Sequence, residues 1–459
     1  MKANLKKTFF LFRLGIVVLI LALSYWQIIT GPSLAIRPEN PRLLKQEEKL
    51  LRGRILDRKG RVISFTENKE RIYQGPRAIA PLVGYTQAQR GQSGLELAYS
   101  SELLGQLPVQ RFRNFTRGLL GLVPTGSDLY LTLDLSLVEA AEKALAGRAG
   151  AVVGLDVQTG EILVIATSPN FSPNRIAEDW ELLTADKKSP LLNRALQGLY
   201  PPGSIFKLLT AYGVLKWELV APGEQFVCSG KIEIDGHTIS CYQGKAHGRL
   251  DFDEALAKSC NVTFVQLAQR LGRERFYELI EFFALARKPD LGVPVSMCRI
   301  PPQKGAGASS LSQLAIGQGA LLVTPVQMAM LTAALASGTV RSPYLVREIK
   351  SGDVVLQKNE SSWQLELETV SASLKNALRY VVEQGTGQAA GIPGLSVAGK
   401  TGTADNPHGR PHAWFVGFAP VENPRLALAV VVENAGEGGR FAAPIARLVF
   451  EEAMKNGYL

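Results

Sequence analysis

The first apolar segment of the chain is long enough to cross a bilayer. Leu14 to Ile29 is an almost uninterrupted apolar run, and Phe9 to Leu11 extends it on the other side of Arg13. A helix of about 20 residues spans the hydrocarbon core, and an arginine stem can lie in that layer while its guanidinium reaches the headgroups. We therefore predict a transmembrane helix at 14–29, preceded by a tail at 1–13.

The charges around this helix predict its orientation. Four basic residues precede or enter the apolar run: Lys2, Lys6, Lys7 and Arg13. The positive-inside rule keeps residues 1–13 in the cytoplasm and sends the chain after Trp26 out of it, so we expect a single-pass protein of the inner (plasma) membrane. A cleaved signal peptide ending near Ser33-Leu34-Ala35 is the alternative, and it leads to the same compartment.

The next two regions, 30–50 and 51–125, differ in composition and in apolar pattern. Residues 30–50 carry charges and prolines without apolar periodicity, which indicates a juxtamembrane linker. At 51–125 short alternating segments are interrupted by glycines, and Arg54 to Leu56 and Val62 to Phe65 flank the turn formers Asp57 to Gly60 as in a hairpin. We interpret 51–125 as a small β-rich domain without a long helix.

A larger α/β domain is predicted at 126–459. Leu129 to Leu133 has the pattern of a strand, and the apolar spacing of Leu135 to Leu145 and of Ala443 to Met454 predicts amphipathic helices. Five further segments are apolar or alternating, as strands are: Ala151 to Leu155, Ile162 to Ala166, Ser396 to Thr403, Ala413 to Phe418 and Leu426 to Glu433. A sheet built from them joins distant parts of the chain and is flanked by helices.

Composition and charge narrow the functional classes. With 459 residues, of which 46% are hydrophobic and 20% charged, the chain can bury a full-sized core and a second, smaller domain. The net charge of +10 is scattered rather than gathered in basic blocks interleaved with aromatic residues. We therefore expect a solvated basic surface and no nucleic-acid partner.

The cysteines give a weaker signal. There are four of them, Cys228, Cys241, Cys260 and Cys298. They are too few for a disulfide framework and lack C-x-x-C spacing, so we predict no metal and no cofactor. A single Cys228–Cys241 disulfide would close a short loop in an oxidising compartment.

Two minority interpretations involve these residues and the histidines. One is a zinc site, built from His408 and His412 or from His237 and His247 near the cysteines. The other is a regulatory thiol at Cys260, against the simpler reading that this small side chain fills space.

The candidate nucleophile is Ser204. The segment Tyr200 to Thr210 has helix breakers ahead of a helical run, which places Ser204 in a first turn and Lys207 on the same face. A serine hydroxyl is a poor nucleophile until a base accepts its proton. Burial and the positive end of a helix dipole lower the pKa of a lysine, so Lys207 is the candidate base, and N–H groups near Ser204 suit an oxyanion.

Two more short motifs carry polar chemistry. Ser259 and Asn261 follow an apparent helix at Phe252 to Ala257 and present a hydroxyl and an amide near each other. On the predicted strand Ala398 to Thr403, Lys400 supplies a charge, Thr401 a hydrogen bond and Gly402 room for an extended peptide. This combination suits a peptide ligand that ends in a carboxylate.

The order of the three motifs points to a family. S-x-x-K, S-x-N and K-T-G, on a helix, a loop and a strand, are typical of penicillin-recognising serine enzymes. Beyond them, the chain resembles a class B penicillin-binding protein from the membrane helix to the C-terminus. Further segments carry this resemblance: Arg52 to Arg58, Gly94 to Glu96 with Tyr99, Leu131 to Asp134, Asn193 to Ala195, Gly317 to Gly319, Thr324 to Ala329 and Trp414 to Pro420.

The resemblance implies a transpeptidase domain with a five-stranded antiparallel sheet, standing on a short pedestal, and D,D-transpeptidation of peptidoglycan. Ser204 would attack the D-Ala-D-Ala carbonyl of a donor stem peptide, and an acceptor amine would resolve the acyl-enzyme. Lys207 would be the acylation base. Ser259 and Asn261 would relay protons and orient the stem peptide.

The remaining roles are implied in the same way. Lys400 and Thr401 would bind the terminal carboxylate on a substrate-binding strand that includes Gly402 and Thr403, and the N–H groups of Ser204 and Thr403 would form the oxyanion hole. β-Lactams would acylate the same serine. The implied partner is a polytopic glycosyltransferase of a cell-elongation or division complex, contacted by the membrane helix and pedestal.

Four other functions compete with this prediction. A β-lactamase shares the motifs but lacks a membrane helix with a pedestal, and a D,D-carboxypeptidase passes the same acyl group to water. A bifunctional relative also polymerises glycan, for which residues 51–125 are too few. A scaffold without catalysis would have no need of the intact Ser204, Lys207 and Lys400.

Overall fold

The computed structural model describes residues 2–26, 50–304, 307–367, 372–407 and 409–459. The predicted linker at 30–50, except residue 50, therefore lies outside the described residues, as do positions 27–29 of the predicted membrane helix and His408.

The helices of the described residues are α1 (Lys2–Ser24), α2 (Ala80–Val83), α3 (Gly94–Ala98), α4 (Ser100–Leu103), α5 (Pro108–Leu119), α6 (Leu135–Leu145), α7 (Ile176–Ala185), α8 (Arg194–Gln197), α9 (Lys207–Lys216), α10 (Phe252–Ala257), α11 (Asn261–Leu271), α12 (Arg273–Phe282), α13 (Ala308–Ala315), α14 (Pro325–Ser337), α15 (Ala372–Gln384), α16 (Gly438–Phe441) and α17 (Ala443–Lys455). Short 3-10 turns lie at Arg77–Ile79, Pro173–Arg175, Gly203–Phe206, Tyr242–Gly244 and Gln388–Ala390.

The strands are β1 (Ile55–Leu56), β2 (Val62–Glu67), β3 (Glu70–Tyr73), β4 (Thr86–Gln87), β5 (Gly91–Gln92), β6 (Asp128–Leu131), β7 (Gly150–Asp156), β8 (Ile162–Ser168), β9 (Phe226–Cys228), β10 (Lys231–Ile234), β11 (His237–Ser240), β12 (Gly248–Leu250), β13 (Thr339–Arg341), β14 (Val346–Ser351), β15 (Val354–Lys358), β16 (Gln364–Glu366), β17 (Ala398–Ala404), β18 (His412–Ala419) and β19 (Leu426–Val432).

The N-terminal helix α1 is long and apolar enough to cross a membrane. Its segment Lys7–Ser24 has a mean hydropathy of 2.0 and is not buried against the rest of the molecule. The helix begins well before the predicted position 14, and the Arg13 guanidinium lies over the Phe9 ring at 4.5 Å. The apolar side chains therefore face outwards, as a bilayer requires.

A five-stranded antiparallel sheet forms the centre of the larger domain, in the order β17-β18-β19-β7-β8. The predicted fold class is confirmed: strands from residues 150–168 pair with strands from 398–432. β7, β8, β18 and β19 are buried along their whole length, which explains their apolar runs, because helices cover both faces of the sheet. β17 is an edge strand, so one side of it stays open.

Helices from both ends of this domain pack on the sheet. α6 and α17 contact each other and the sheet, while α14 packs against β7, β18 and β19. The start of α6 follows from its sequence, because the Asp134 carboxylate caps it by accepting the N–H of Ser136 at 2.8 Å. The helix ends where Ala146 adopts a left-handed conformation.

The N-terminal region shares a second sheet with the larger domain. Its six strands lie in the order β15-β14-β6-β1-β2-β3, so residues 346–358 continue the sheet that begins at 55–73. β6 is the joint, because it pairs in parallel with β1 and in antiparallel with β14. The predicted domain boundary near residue 125 therefore lies between chain segments that hydrogen-bond to each other in one sheet.

One prediction for this region is wrong. Residues 108–119 form the twelve-residue helix α5, where we expected no long helix. Its apolar residues Val109, Phe112 and Phe115 recur at intervals of three but face solvent. The predicted hairpin does form, since β1 pairs with β2 around Asp57–Gly60.

A buried ion cluster holds the N-terminal region together. Glu96 accepts hydrogen bonds from Arg52 Nε at 2.7 Å and from Arg71 Nε at 2.8 Å, and Ser64 donates to the same carboxylate. Burial by itself raises the pKa of Glu96, but the charges of Arg71 and Arg52 outweigh it and hold the pKa below its ordinary value. This cluster therefore links Arg52 to the Gly94-Leu95-Glu96 segment, and both lie in segments that carried the family resemblance.

Replacing Glu96 with glutamine should destabilise the fold by about 3–5 kcal/mol, because two buried guanidinium groups lose their counter-charge. The lowered pKa means that the carboxylate stabilises the fold above its unfolded pKa and loses this effect as the pH falls through its folded pKa. Glu96→Gln should therefore also weaken the acid sensitivity of stability. Urea unfolding followed by tryptophan fluorescence at neutral and acidic pH measures both effects.

The matched control is Asp128→Asn, which removes the exposed ion pair between Asp128 and Arg54. An exposed pair contributes about 1 kcal/mol or less. A Glu96→Gln effect no larger than that of the control would contradict the role of the buried cluster.

Candidate active site

Ser204 lies in the 3-10 turn Gly203–Phe206, which leads directly into α9. It therefore precedes the first turn of the α-helix, whereas Lys207 is the first residue of that helix. The turn is pressed against β17: Gly203 has φ +56°, and a Cβ there would lie 2.8 Å from the carbonyl oxygen of Thr403. Gly317 packs on the other side, where a Cβ would lie 2.0 Å from the Gly203 carbonyl oxygen. Only glycine fits either position, so the backbone around Ser204 is tightly constrained.

Three partly buried hydrogen bonds fix the approach to this turn. Trp414 Nε1 donates to the carbonyl oxygen of Pro201 at 3.0 Å. The Tyr200 hydroxyl donates to Glu433 at 2.7 Å, and Arg194 Nε donates to the same oxygen at 2.8 Å. We assigned no role to these residues from sequence, although Arg194 and Trp414 lie in segments that carried the family resemblance.

Lys207 is fully buried directly beneath Ser204. Its Nζ lies 3.0 Å from Ser204 Oγ, 3.1 Å from Ser259 Oγ, 2.8 Å from the Ser259 carbonyl oxygen and 2.6 Å from Asn261 Oδ1. Burial lowers the pKa of Lys207 to about 7, although the nearby thiols of Cys260 and Cys241 act in the opposite direction. An amine with this pKa is able to take the proton of Ser204 near neutral pH.

Ser259 and Asn261 lie where α10 ends and α11 begins. Ser259 has φ +55°, a left-handed conformation that is uncommon for serine, and Cys260 caps α11. Asn261 Nδ2 donates to the Ser240 carbonyl oxygen at 2.7 Å, which leaves the second N–H of the amide for another acceptor. The loop thus presents both polar groups to Lys207.

The K-T-G segment lies on the edge strand β17, but its residues point in two directions. Thr401 and Thr403 line the groove beside Ser204. Lys400 is fully buried behind them, and its Nζ donates to the Thr401 carbonyl oxygen at 3.0 Å. Burial and, after it, the charge of Lys207 hold the pKa of Lys400 well below its ordinary value.

Two features at this strand were not predicted from the sequence. A Cβ on Gly402 would lie 3.0 Å from Ile205, from Pro202 and from Trp414, so Gly402 lets the Ser204 turn pack on the strand rather than making room for a ligand. The sequence also gave no sign of Thr386, whose hydroxyl lies 2.5 Å from that of Thr401. Only proximity in the fold identifies it.

An open groove of about 1110 Å³ runs past these groups. Ser204, Ser259, Asn261, Thr401 and Thr403 share its wall. Charged side chains also line it: Lys245, Lys258 and Arg440 are basic, and Asp405 and Glu437 are acidic. The structure therefore brings a hydroxyl nucleophile, a buried amine and several hydrogen-bonding groups to one groove that an extended peptide can enter.

The cysteine predictions are corrected by the structure. Cys228 and Cys241 are free thiols with their sulfur atoms 3.6 Å apart, whereas a disulfide needs about 2.05 Å. His412 is buried and accepts a hydrogen bond from the N–H of Asn434, so it is already engaged away from the cysteines. His247, in contrast, lies 3.4 Å from Cys228 Sγ.

Comparison with known proteins agrees with this arrangement. The family model for the penicillin binding protein transpeptidase domain matches residues 150–451. Peptidoglycan D,D-transpeptidase PbpA of Mycolicibacterium smegmatis is 30% identical over 100% of both chains. Peptidoglycan D,D-transpeptidase MrdA of Acinetobacter baumannii is 31% identical over 79% of this chain and 60% of its own length.

Solved structures give the same result. Penicillin-binding protein A of M. tuberculosis, as an imipenem acyl-enzyme complex, superposes with a TM-score of 0.82 at 30% identity, covering 89% of this chain and 100% of that one. The D,D-transpeptidase domain of a peptidoglycan glycosyltransferase from Eggerthella lenta has a TM-score of 0.80 at 31% identity, covering 90% and 100%. The chain therefore belongs to the penicillin-binding protein transpeptidase family, and its predicted membership of class B is confirmed.

Proposed function

We propose that this protein is a membrane-anchored peptidoglycan D,D-transpeptidase that works through an acyl-enzyme on Ser204. The observation that carries the proposal is the fully buried Lys207 amine, 3.0 Å from the Ser204 hydroxyl. Family membership supports it, as do the β-lactam acyl-enzyme complexes of a relative that superposes over 89% of the chain.

The first half-reaction follows from the positions of these groups. Ser204 Oγ attacks the carbonyl carbon of the penultimate D-Ala of the donor peptide, and its proton passes to Lys207 Nζ. Backbone N–H groups of Ser204 and Thr403 would stabilise the oxyanion. The C–N bond to the terminal D-Ala then breaks, and the proton returns through Lys207 and Ser259 Oγ, 3.1 Å away, to the leaving amine.

In the second half-reaction an acceptor amine attacks the Ser204 ester. The same base takes the proton of the amine, an amide bond forms between two stem peptides, and the serine hydroxyl is restored. Asn261 orients the donor peptide through its remaining amide N–H. The donor carboxylate binds the hydroxyl groups of Thr401 and Thr403, and Lys400 contributes positive charge from behind the strand.

Anchoring and domain organisation belong to the same proposal. α1 would cross the membrane with residues 1–13 in the cytoplasm and the groove outside, supported by its apolar surface and the basic residues before it. Residues 51–125 would act as a pedestal and 126–459 as the transpeptidase domain. The membrane helix and pedestal would contact a polytopic glycosyltransferase, which the exposed apolar residues of α5 support.

Ser204→Ala should abolish covalent labelling by fluorescent penicillin, a loss of about 10³-fold or more in acylation rate, because the attacking oxygen is gone. Gel fluorescence and intact-protein mass measure it. The control is Ser172→Ala, which alters a serine outside the groove and should label normally. Equal labelling of Ser204→Ala and wild type would exclude Ser204 as the nucleophile.

Acylation should depend on pH through Lys207. Below the pKa of about 7 the amine is protonated and cannot act as a base, so the second-order acylation constant should rise about tenfold per pH unit and level off above that pKa. Lys207→Arg should lower it by about 10²–10⁴-fold, because arginine stays protonated. Stopped-flow measurement with a chromogenic cephalosporin gives both results.

The groove residue Lys258 provides the control, because Lys258→Arg keeps a surface charge and should preserve both the rate and the pH profile. A flat profile between pH 5 and 9 in the wild type would show that Lys207 is not the base.

The fate of the acyl group separates a transpeptidase from a carboxypeptidase. With a stem-peptide thioester as donor and a D-amino acid or stem peptide as acceptor, we expect mainly aminolysis product rather than hydrolysed donor, measured by liquid chromatography with mass spectrometry. Hydrolysis that does not respond to acceptor concentration would favour a D,D-carboxypeptidase.

A further inference from the structure

Three cysteines and one histidine from four separate segments meet beside the groove. Cys228 ends β9, Cys241 follows β11, His247 precedes β12, and Cys260 caps α11. Their sulfur atoms and an imidazole nitrogen all lie within 4.8 Å of one another. Cys228, Cys241 and Cys260 are buried, and the proposed reaction uses none of the four.

The distances match those between the ligands of a tetrahedral metal ion. With Zn–S bonds of about 2.3 Å and a Zn–N bond of about 2.0–2.1 Å, sulfur atoms are about 3.8 Å apart, and a sulfur and a nitrogen about 3.6 Å apart. Cys241 Sγ lies 3.6 Å from Cys228 Sγ and 3.9 Å from Cys260 Sγ, and His247 Nδ1 lies 3.4 Å from Cys228 Sγ. These separations are too long for a disulfide and suit a shared ion.

Hydrogen-bond donors point at two of the sulfur atoms. The N–H of Gly230 donates to Cys228 Sγ at 3.4 Å, and the N–H and hydroxyl of Thr263 donate to Cys260 Sγ at 3.5 and 3.3 Å. Cys260 also lies at the positive end of the eleven-residue helix α11. Donors of this kind hold metal-bound thiolates in place.

We propose that Cys228, Cys241, His247 and Cys260 bind one Zn²⁺ ion as a closed structural site. Three cysteines and one histidine are an established ligand set for structural zinc, and four protein ligands leave no open position for catalysis. In the proposed extracytoplasmic compartment, coordination would also keep three neighbouring thiols from oxidising to a disulfide. This revises the prediction of no metal, which rested on the absence of C-x-x-C spacing.

The site would stabilise the polar loop that contacts Lys207. Cys260 stands between Ser259 and Asn261, and Asn261 Nδ2 is bonded to the carbonyl oxygen of Ser240, the neighbour of Cys241. The ion would therefore connect the loop that carries Ser259 and Asn261 to the segment at Ser240 and Cys241, to which Asn261 is hydrogen-bonded. It would also support the left-handed conformation of Ser259.

The first test is the metal content of the full-length chain, purified in detergent with a reductant. Elemental analysis should find about one zinc per chain. Replacement by Co²⁺ should give the visible bands of tetrahedral cobalt with a thiolate-to-cobalt charge-transfer band in the near ultraviolet. Cys228→Ser should lose at least tenfold in zinc retention against a chelator, because one of the ligands is gone.

Cys298→Ser is the matched control. Cys298 is also buried, but its Sγ bonds to Gln327 at 2.7 Å and it does not belong to the cluster, so this variant should keep its zinc. Zinc-free protein after incubation of the reduced chain with Zn²⁺, or a Cys228–Cys241 disulfide in its place, would overturn the proposal. If Cys228→Ser does not fold, the cobalt spectrum of the wild-type chain decides.

The second test concerns the loop and rests on the proposed function. Removing zinc from the wild-type chain should slow acylation by fluorescent penicillin about tenfold, and adding Zn²⁺ back should restore it. Zinc-loaded protein that is never acylated would refute the proposed function but not the metal site. Unchanged acylation after verified metal removal would refute the coupling between the two.

Discussion

The proposed chemistry depends on burying the Lys207 amine without bonding it to a carboxylate. Its polar contacts among the described residues are oxygen atoms of Ser204, Ser259 and Asn261, none of which is a carboxylate. Burial penalises the ammonium form, so the pKa of Lys207 falls to about 7. Had an aspartate or glutamate occupied one of these positions, the amine would stay protonated and could not accept the serine proton.

This requirement explains why the site forms only in the complete fold. The oxygen atoms around Lys207 come from the turn at 203–206 and from the loop between α10 and α11, while Phe264 of α11 places its ring 5.7 Å from the amine. Backbone hydrogen bonds hold this loop against the end of α10, because the N–H of Ser259 donates to the carbonyl oxygen of Leu256 at 3.1 Å and the N–H of Cys260 donates to that of Ala255 at 2.9 Å. The left-handed Ser259 costs about 1–3 kcal/mol, which these neighbouring contacts must offset.

Much of this could be predicted from the sequence. The strands of the central sheet appear within about two residues of their predicted ends. For β7, β8, β18 and β19 the reason is that they are buried along their whole length and form apolar runs in the sequence. Ser204 and Lys207 were found because three-residue spacing places them on one face, a local property. Helix α5 was missed although Val109, Phe112 and Phe115 recur at a helical spacing, because the glycines that interrupt this region argue against a long helix.

The features that could not be predicted depend on distant contacts. Tertiary packing determines three of them: the contacts of Gly402 with the Ser204 turn, the position of the Thr386 hydroxyl beside Thr401, and the six-stranded sheet that joins 55–73 to 346–358. The cysteine cluster belongs to the same class. Its four residues are separated by 12, 5 and 12 intervening residues, so the pairing of β9 with β12 and the position of Cys260 at the start of α11 bring them together.

Two lysine amines in one buried centre also limit where positive charge can lie. Burial and, after it, the charge of Lys207 hold the pKa of Lys400 well below its ordinary value, and its Nζ is bonded to the Thr401 backbone rather than exposed to the groove. A ligand carboxylate placed at the Thr401 and Thr403 hydroxyls would offset the burial of Lys400 and raise its pKa, so the ligand itself would favour protonation of this lysine. The charge that recognises the peptide terminus would then lie on the strand, while Lys207, which must accept a proton, remains neutral.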